Sequence, residues 1–317
     1  MNLFVATFES VAVLLGIGII GFYIIRKDVL PKNVISALSP LALEIALPSI
    51  IFINIISDFN PTTNPTWWQL PLWWGAFTVI AFILTHLFML ISEKKSRAEF
   101  GLSLFYQNGI FFPLAILTGM FTPAEDYIVA LFLFTLFFPA FFFTTYPYFF
   151  RKRQLKQKSK LPIKKILHPA FVATLLALLV VFLGIENNIP GLLLSILTLL
   201  GAMTVPLLML ILGGNIYIDF QKQGTLQLKE TAKFVLTKNI IFPLIFLGII
   251  ILLKDFLTPT IALLILLQSA VPPLTAAPLV TERLHGDRTL VSQFLVASFL
   301  LSLLSLPLMV YLFEFFY

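Results

Sequence analysis

Between Pro259 and Val280 runs an apolar stretch long enough to cross a bilayer, and two adjacent prolines break it midway. The break reads Gln268-Ser269-Ala270-Val271-Pro272-Pro273-Leu274-Thr275-Ala276-Ala277-Pro278. A membrane helix hides its backbone polar groups by bonding them to one another. Pro272 and Pro273 remove two N–H donors and crowd the preceding turn. In lipid such a break survives only where protein or a polar cavity covers the freed carbonyls. Ser269 is suited to cap a new helix start, which is expected near Pro272. The positive end of that half-helix would then lie inside the membrane, where it can hold an anion. A second break, Gln107-Asn108-Gly109-Ile110-Phe111-Phe112-Pro113, lies inside an earlier apolar run. Paired broken helices in corresponding places of two halves point to the binding site of a transporter.

The rest of the chain repeats this apolar character. Of its 317 residues, 59% are hydrophobic and 11% charged. A soluble domain carries about 25% charged residues, so an all-α polytopic membrane protein is expected. Ten spans are read at 3–25, 34–57, 68–92, 99–120, 127–150, 167–184, 190–217, 233–253, 259–280 and 289–314. Glu9 inside the first run and the lack of a basic segment before it argue against a cleaved signal peptide. Loops on one side hold 19 of the 21 basic residues. Lys238 lies just inside span 8 from that side, and Lys254 falls opposite. Basic loops stay in the cytoplasm, so both termini are expected outside a cell membrane. The net charge of +6 is accounted for by this asymmetry and calls for no nucleic-acid partner. Trp67, Trp68, Trp73 and Trp74 are expected as interfacial anchors.

The charged segment 151–166 divides the chain into a first five-helix repeat, 1–150, and a second, 167–317. Five is odd, so the second set enters from the opposite side and the repeats are inverted. Leu47-Pro48 parallels Val205-Pro206, the Gln107 break parallels the Gln268 break, and Pro139 parallels Pro307. These pairs occur in the same order in both halves.

The candidate site residues are Gln107, Asn108, Gly109, Gln268, Ser269 and Thr275 for binding, with Pro113, Pro272 and Pro273 making the helix breaks. The amides and hydroxyl either bind a carboxylate or only cap the broken helices. Glu44, near the middle of span 2, is a candidate proton carrier, or else a neutral acid bonded to a neighbouring helix. Lys238 either snorkels to the cytoplasmic surface or lends positive charge to an inner vestibule. His86 and His168 lie too far apart in sequence to suggest a metal site, and no metal or other cofactor is expected. Gly213-Gly214 suits close helix packing. There is no cysteine, no phosphate-binding glycine loop and no zinc-protease motif, so an enzyme is not expected.

In their order and spacing these motifs resemble the auxin efflux carrier family of membrane transporters, which includes bacterial malate-permease-like members. The resemblance rests on Ala46-Leu47-Pro48-Ser49-Ile50-Ile51-Phe52, Asn108-Gly109 with Pro113, and His168-Pro169. It continues through Val205-Pro206-Leu207-Leu208, Gly213-Gly214, and the stretch from Ala270-Val271-Pro272-Pro273 to Leu306-Pro307. Three positions depart from the family's usual pattern. His168 stands before Pro169 where Asn is frequent, Lys238 where Arg is frequent, and Glu44 where an uncharged residue is usual. The resemblance implies that spans 3–5 and 8–10 form a mobile transport domain against a scaffold of spans 1, 2, 6 and 7. It also implies a carboxylate site at the crossing of spans 4 and 9, and a homodimer through the scaffold. The expected activity is secondary transport of a small organic anion, auxin-like or malate-like, by elevator-type alternating access, proton-coupled or uniport. A sodium-coupled symporter of the bile-acid type, which shares this layout, would need an oxygen-rich cage near the crossing. A non-transporting receptor would usually carry a soluble signalling module.

Overall fold

The computed structural model describes residues 3–121, 125–150, 168–221 and 226–317. The linker expected at 151–166, with its basic residues, lies outside the described residues, as does Lys222. The first half runs through α1 (Leu3–Arg26), α2 (Val34–Pro40), α3 (Leu47–Asp58), α4 (Gln69–Phe88), α5 (Arg97–Phe105), α6 (Phe111–Met120), α7 (Glu125–Phe134) and α8 (Phe138–Thr145). The second half runs through α9 (Pro169–Phe182), α10 (Gly191–Ala202), α11 (Thr204–Gln221), α12 (Leu228–Leu236), α13 (Phe242–Leu252), α14 (Pro259–Ala270), α15 (Ala277–Arg283) and α16 (Arg288–Phe316). Among the described residues there is no strand. Six helices are long and apolar enough to cross a membrane: Leu3–Arg26, Ala37–Asp58, Gln69–Ile91, Gly191–Gln221, Leu228–Leu252 and Arg288–Phe316. Shorter apolar helices occupy the remaining expected spans. Two of those spans are short because extended breaks interrupt them, between α5 and α6, just ahead of Pro113, and between α14 and α15, at Pro272 and Pro273.

Proline also explains two widened turns that hydropathy does not reveal. Pro48 lacks the N–H that would bond the Glu44 carbonyl. Ahead of it the chain makes a π-turn, Leu41–Ala46, in which the Leu47 N–H reaches back five residues to Ala42. Pro243 likewise lacks the N–H for the Asn239 carbonyl. A second π-turn, Thr237–Ile241, precedes it, with the Phe242 N–H bonded to Thr237. The first carries Glu44 and the second carries Lys238 and Asn239. Asn239 is fully buried and exchanges hydrogen bonds with α16, donating to the Ser298 carbonyl at 3.0 Å and accepting from its hydroxyl at 2.7 Å.

Small residues set the closest helix contact. α1 lies along α11 with glycines facing backbone on both sides, Gly21 against Leu210 and Gly213 against Gly18. Apolar side chains gain nothing by leaving lipid for one another, so close backbone approach and dispersion hold such pairs together. The tryptophans divide. Trp68 is exposed, as an interfacial anchor would be, but Trp74 is buried edge-on against Phe138 and Phe141. The expectation of an anchor at Trp74 is therefore corrected: its register on α4 turns it inward toward the α8 aromatics.

Candidate functional site

The two breaks meet. After α5 the chain turns extended at Tyr106, and after α14 it turns extended at Val271. Neither Pro272 nor Pro273 can donate a helical bond, so this backbone must find partners elsewhere. It finds them in the other break. The Asn108 N–H donates to the Pro272 carbonyl at 2.9 Å, and the Leu274 N–H donates to the Tyr106 carbonyl at 2.8 Å. Gln107 and Pro273 thus face each other as an antiparallel bridge between two interrupted helices.

Two carbonyls at the crossing would normally bond to the N–H four residues on, and in both cases that residue is proline. The Gly109 carbonyl, left without a donor by Pro113, accepts from the Gln268 side-chain amide at 2.6 Å. The Ser269 carbonyl, left without a donor by Pro273, accepts from the Lys238 ammonium at 2.9 Å. Lys238 is fully buried and also lies over the Phe242 ring, 5.1 Å from its centroid. Gln107 completes the set, its amide 3.4 Å from Gln268 Oε1. A Cβ at Gly109 would stand 2.1 Å from Gln268 Oε1 and displace the Gln268 amide from this position. Replacing Gln268 by alanine leaves the Gly109 carbonyl buried without a donor. The expected cost is roughly 1–3 kcal/mol, read as a drop in melting temperature. A melt indistinguishable from wild type would show that this bond does not hold the crossing.

Beside the crossing lies a cavity of about 170 Å³. Asn108, Gly109, Ile110 and Thr275 form its wall on the crossing side. Leu43 and Leu47, then Leu208 and Asn215, face them from α3 with its π-turn and from α11, and His168 lies at the start of α9. Most of the wall is aliphatic or aromatic. Asn108 is the exception that stands out chemically. It is 1% exposed, and neither its amide nitrogen nor its amide oxygen has a hydrogen-bond partner. Such a buried amide is costly unless something pairs with it. It sits directly ahead of α6, whose N-cap residue Ile110 offers no side-chain cap. The first turn of a helix presents N–H groups and positive dipole charge. Asn108 and the start of α6 therefore form a donor set matched to an anion.

The structure divides the candidate residues. Asn108, Gly109 and Thr275 line the cavity; Gln107, Gln268 and Ser269 do not. Gln107 and Gln268 spend their polar groups within the crossing, and the Ser269 hydroxyl donates back to the Leu266 carbonyl at 2.7 Å. Ser269 is thus the penultimate residue of α14 rather than the cap of a new helix. α15 starts at Ala277 instead of Pro272, because both prolines are used in the extended crossing strand. Pro113 sits in the first turn of α6. Glu44 is exposed and absent from the cavity wall. Lys238 neither reaches the surface nor lines the cavity, since the carbonyl freed by Pro273 holds it inside. Sequence reasoning did not put His168 or Asn215 among the site residues. Their polarity on apolar helices was the available signal. Among the described residues no group of three or more His, Cys, Asp or Glu could hold a metal ion.

A search of curated proteins finds no match. A family model described as "Membrane transport protein" matches residues 6–310, nearly the whole chain. The helices, the paired breaks and this match agree, and the chain belongs to that family of auxin efflux carrier-type membrane transporters.

Proposed function

We propose that this protein is a secondary transporter of a small organic anion, whose carboxylate is held by Asn108 and the first turn of α6. The observation that carries the reading is the Asn108 amide, buried at the cavity wall with both polar atoms unpartnered. A carboxylate would accept from its nitrogen and from backbone N–H groups, while the aliphatic wall takes the remainder of the molecule. The ten-span inverted-repeat layout is supported by the pairing of the two breaks, one from each half.

In this reading spans 3–5 and 8–10 move as one body against spans 1, 2, 6 and 7, and carry the crossing with them. The cavity lies where α3 and α11 of the scaffold meet α6, α8 and α15 of the moving body. Ser39, His168 and Asn215, also in its wall, belong to the ends of their helices that adjoin the basic loops. The positive-inside assignment therefore makes this an inward-facing arrangement, with both termini outside the cell membrane. A homodimer would form through the scaffold.

The test is a melting screen of purified protein against benzoate, a monocarboxylate, and malate, a dicarboxylate, followed by counterflow uptake in liposomes. A ligand at 100 times its Kd stabilises the state it binds by about 2.7 kcal/mol. The expected result is a rise in melting temperature with at least one acid, and uptake of that acid above protein-free liposomes. No shift and no uptake with either acid would overturn the reading.

A further inference from the structure

We propose that Lys238 carries the coupling proton: it takes one up when the carboxylate binds and gives it back when the carboxylate leaves. This rests on the anion site proposed above. Lys238 is fully buried in a π-turn of span 8, within the body proposed to move. Its nitrogen donates to a single carbonyl, that of Ser269, and faces one ring, that of Phe242. Among the described residues no carboxylate pairs with it; the acids that form ion pairs there hold other cations.

The elements packed against its turn are α12, α13, α14 and α16. α13 and α14 carry no titratable side chain. α12 carries Lys229, Glu230 and Lys233. Glu230 is engaged by Lys233 at 2.6 Å and by the Ser92 hydroxyl at 2.7 Å. α16 carries Arg288 at its first residue, bonded to Asp219 and Glu282, and Tyr311 and Glu314 near its far end. Nothing on these four helices is placed to neutralise a lysine charge at the crossing.

A buried ammonium needs an anion or several acceptors to replace its hydration. One carbonyl and one ring are a thin replacement. The amine without its proton keeps the same bond to Ser269 and carries no charge. A carboxylate at Asn108 alters this balance, because its charge arrives within a continuous set of bonds. Lys238 bonds to Ser269, the preceding residue Gln268 bonds to Gly109, and Gly109 adjoins Asn108 and lines the cavity. The step balances simply: the lone pair of Nζ takes one proton from a buffer acid in the surrounding solution, which is left as its conjugate base, and the loaded body holds one ammonium and one carboxylate. Glu44, by contrast, is exposed on span 2 of the proposed scaffold and would not travel with the load.

The experiment is calorimetric titration of the full-length protein with benzoate and with malate, in buffers of different ionisation enthalpy, from mildly acid to mildly alkaline pH. Wild type is expected to take up close to one proton per bound anion, and its affinity to weaken as pH rises, approaching ~10-fold per pH unit. Lys238→Met should bind more weakly, with no proton uptake and a flat pH profile. Lys238→Gln keeps a donor for Ser269 and should behave the same way, which separates loss of the proton from collapse of the crossing. Glu44→Gln should keep the wild-type uptake. Binding without proton uptake in wild type, or uptake that survives in Lys238→Gln or disappears in Glu44→Gln, overturns this inference and leaves the anion site standing. Absence of binding by both acids overturns the anion site and this inference with it.

Discussion

Replacing Asn108 by alanine is expected to weaken carboxylate binding about 10- to 100-fold while leaving the melting temperature at or above the wild-type value. The affinity loss follows from one charge-assisted hydrogen bond, worth roughly 1.5–3 kcal/mol, with about 1.4 kcal/mol per factor of ten. The stability expectation follows from the burial of the side chain. The Asn108 amide atoms are buried and bond to nothing, so alanine removes a burden from the folded state rather than a contact. The backbone bond from Asn108 to Pro272, which does hold the crossing, is retained in the variant. A purely structural role for the side chain gives the opposite pattern, a lower melting temperature with affinity unchanged. Measuring both quantities on one purified variant decides between them.

Replacing Gly213 by leucine is expected to have the largest effect on folding. A Cβ at this position would stand 1.8 Å from the Gly18 carbonyl oxygen and 2.8 Å from the Phe22 nitrogen. These are backbone atoms of α1, so no rotamer change relieves the clash. The contact is tight in the other direction too, since a Cβ at Gly21 would lie 2.2 Å from the Leu210 carbonyl oxygen. Overpacking a core costs about 1–3 kcal/mol where side chains can adjust. Here α1 must move away from α11 as a unit, and a loss beyond ~3 kcal/mol is expected, seen as a collapse in the yield of monodisperse protein. Gly75→Ala serves as the control, because nothing lies within 4 Å of a Cβ added there. A Gly213→Leu variant that melts with wild type would refute the close α1–α11 approach.

Much of this protein is local chemistry, and local chemistry is legible in a sequence. A bilayer demands long apolar runs, so the six long apolar helices could be read from hydropathy, whereas the two breaks leave α6 and α14 shorter than a full crossing. Proline lacks an N–H wherever it occurs, so Pro113, Pro272 and Pro273 announced two broken helices. Gly213-Gly214 announced a close contact, because few other reasons place paired glycines on an apolar helix.

Only the tertiary structure decided how those deficits are met. A freed carbonyl is a local fact, but the donor that answers it arrives through space. For Gly109 the donor is Gln268, 159 residues away, and for Ser269 it is Lys238, 31 residues away. For the same reason the adjacent Gln107 and Asn108, alike in the sequence, serve different ends. One amide is used up within the crossing, and the other is left at the cavity wall without a partner. The π-turns ahead of Pro48 and Pro243 belong to this class as well. Proline fixes where a helical bond is lost, but packing against neighbouring helices determines whether the chain breaks there or widens by one residue and continues.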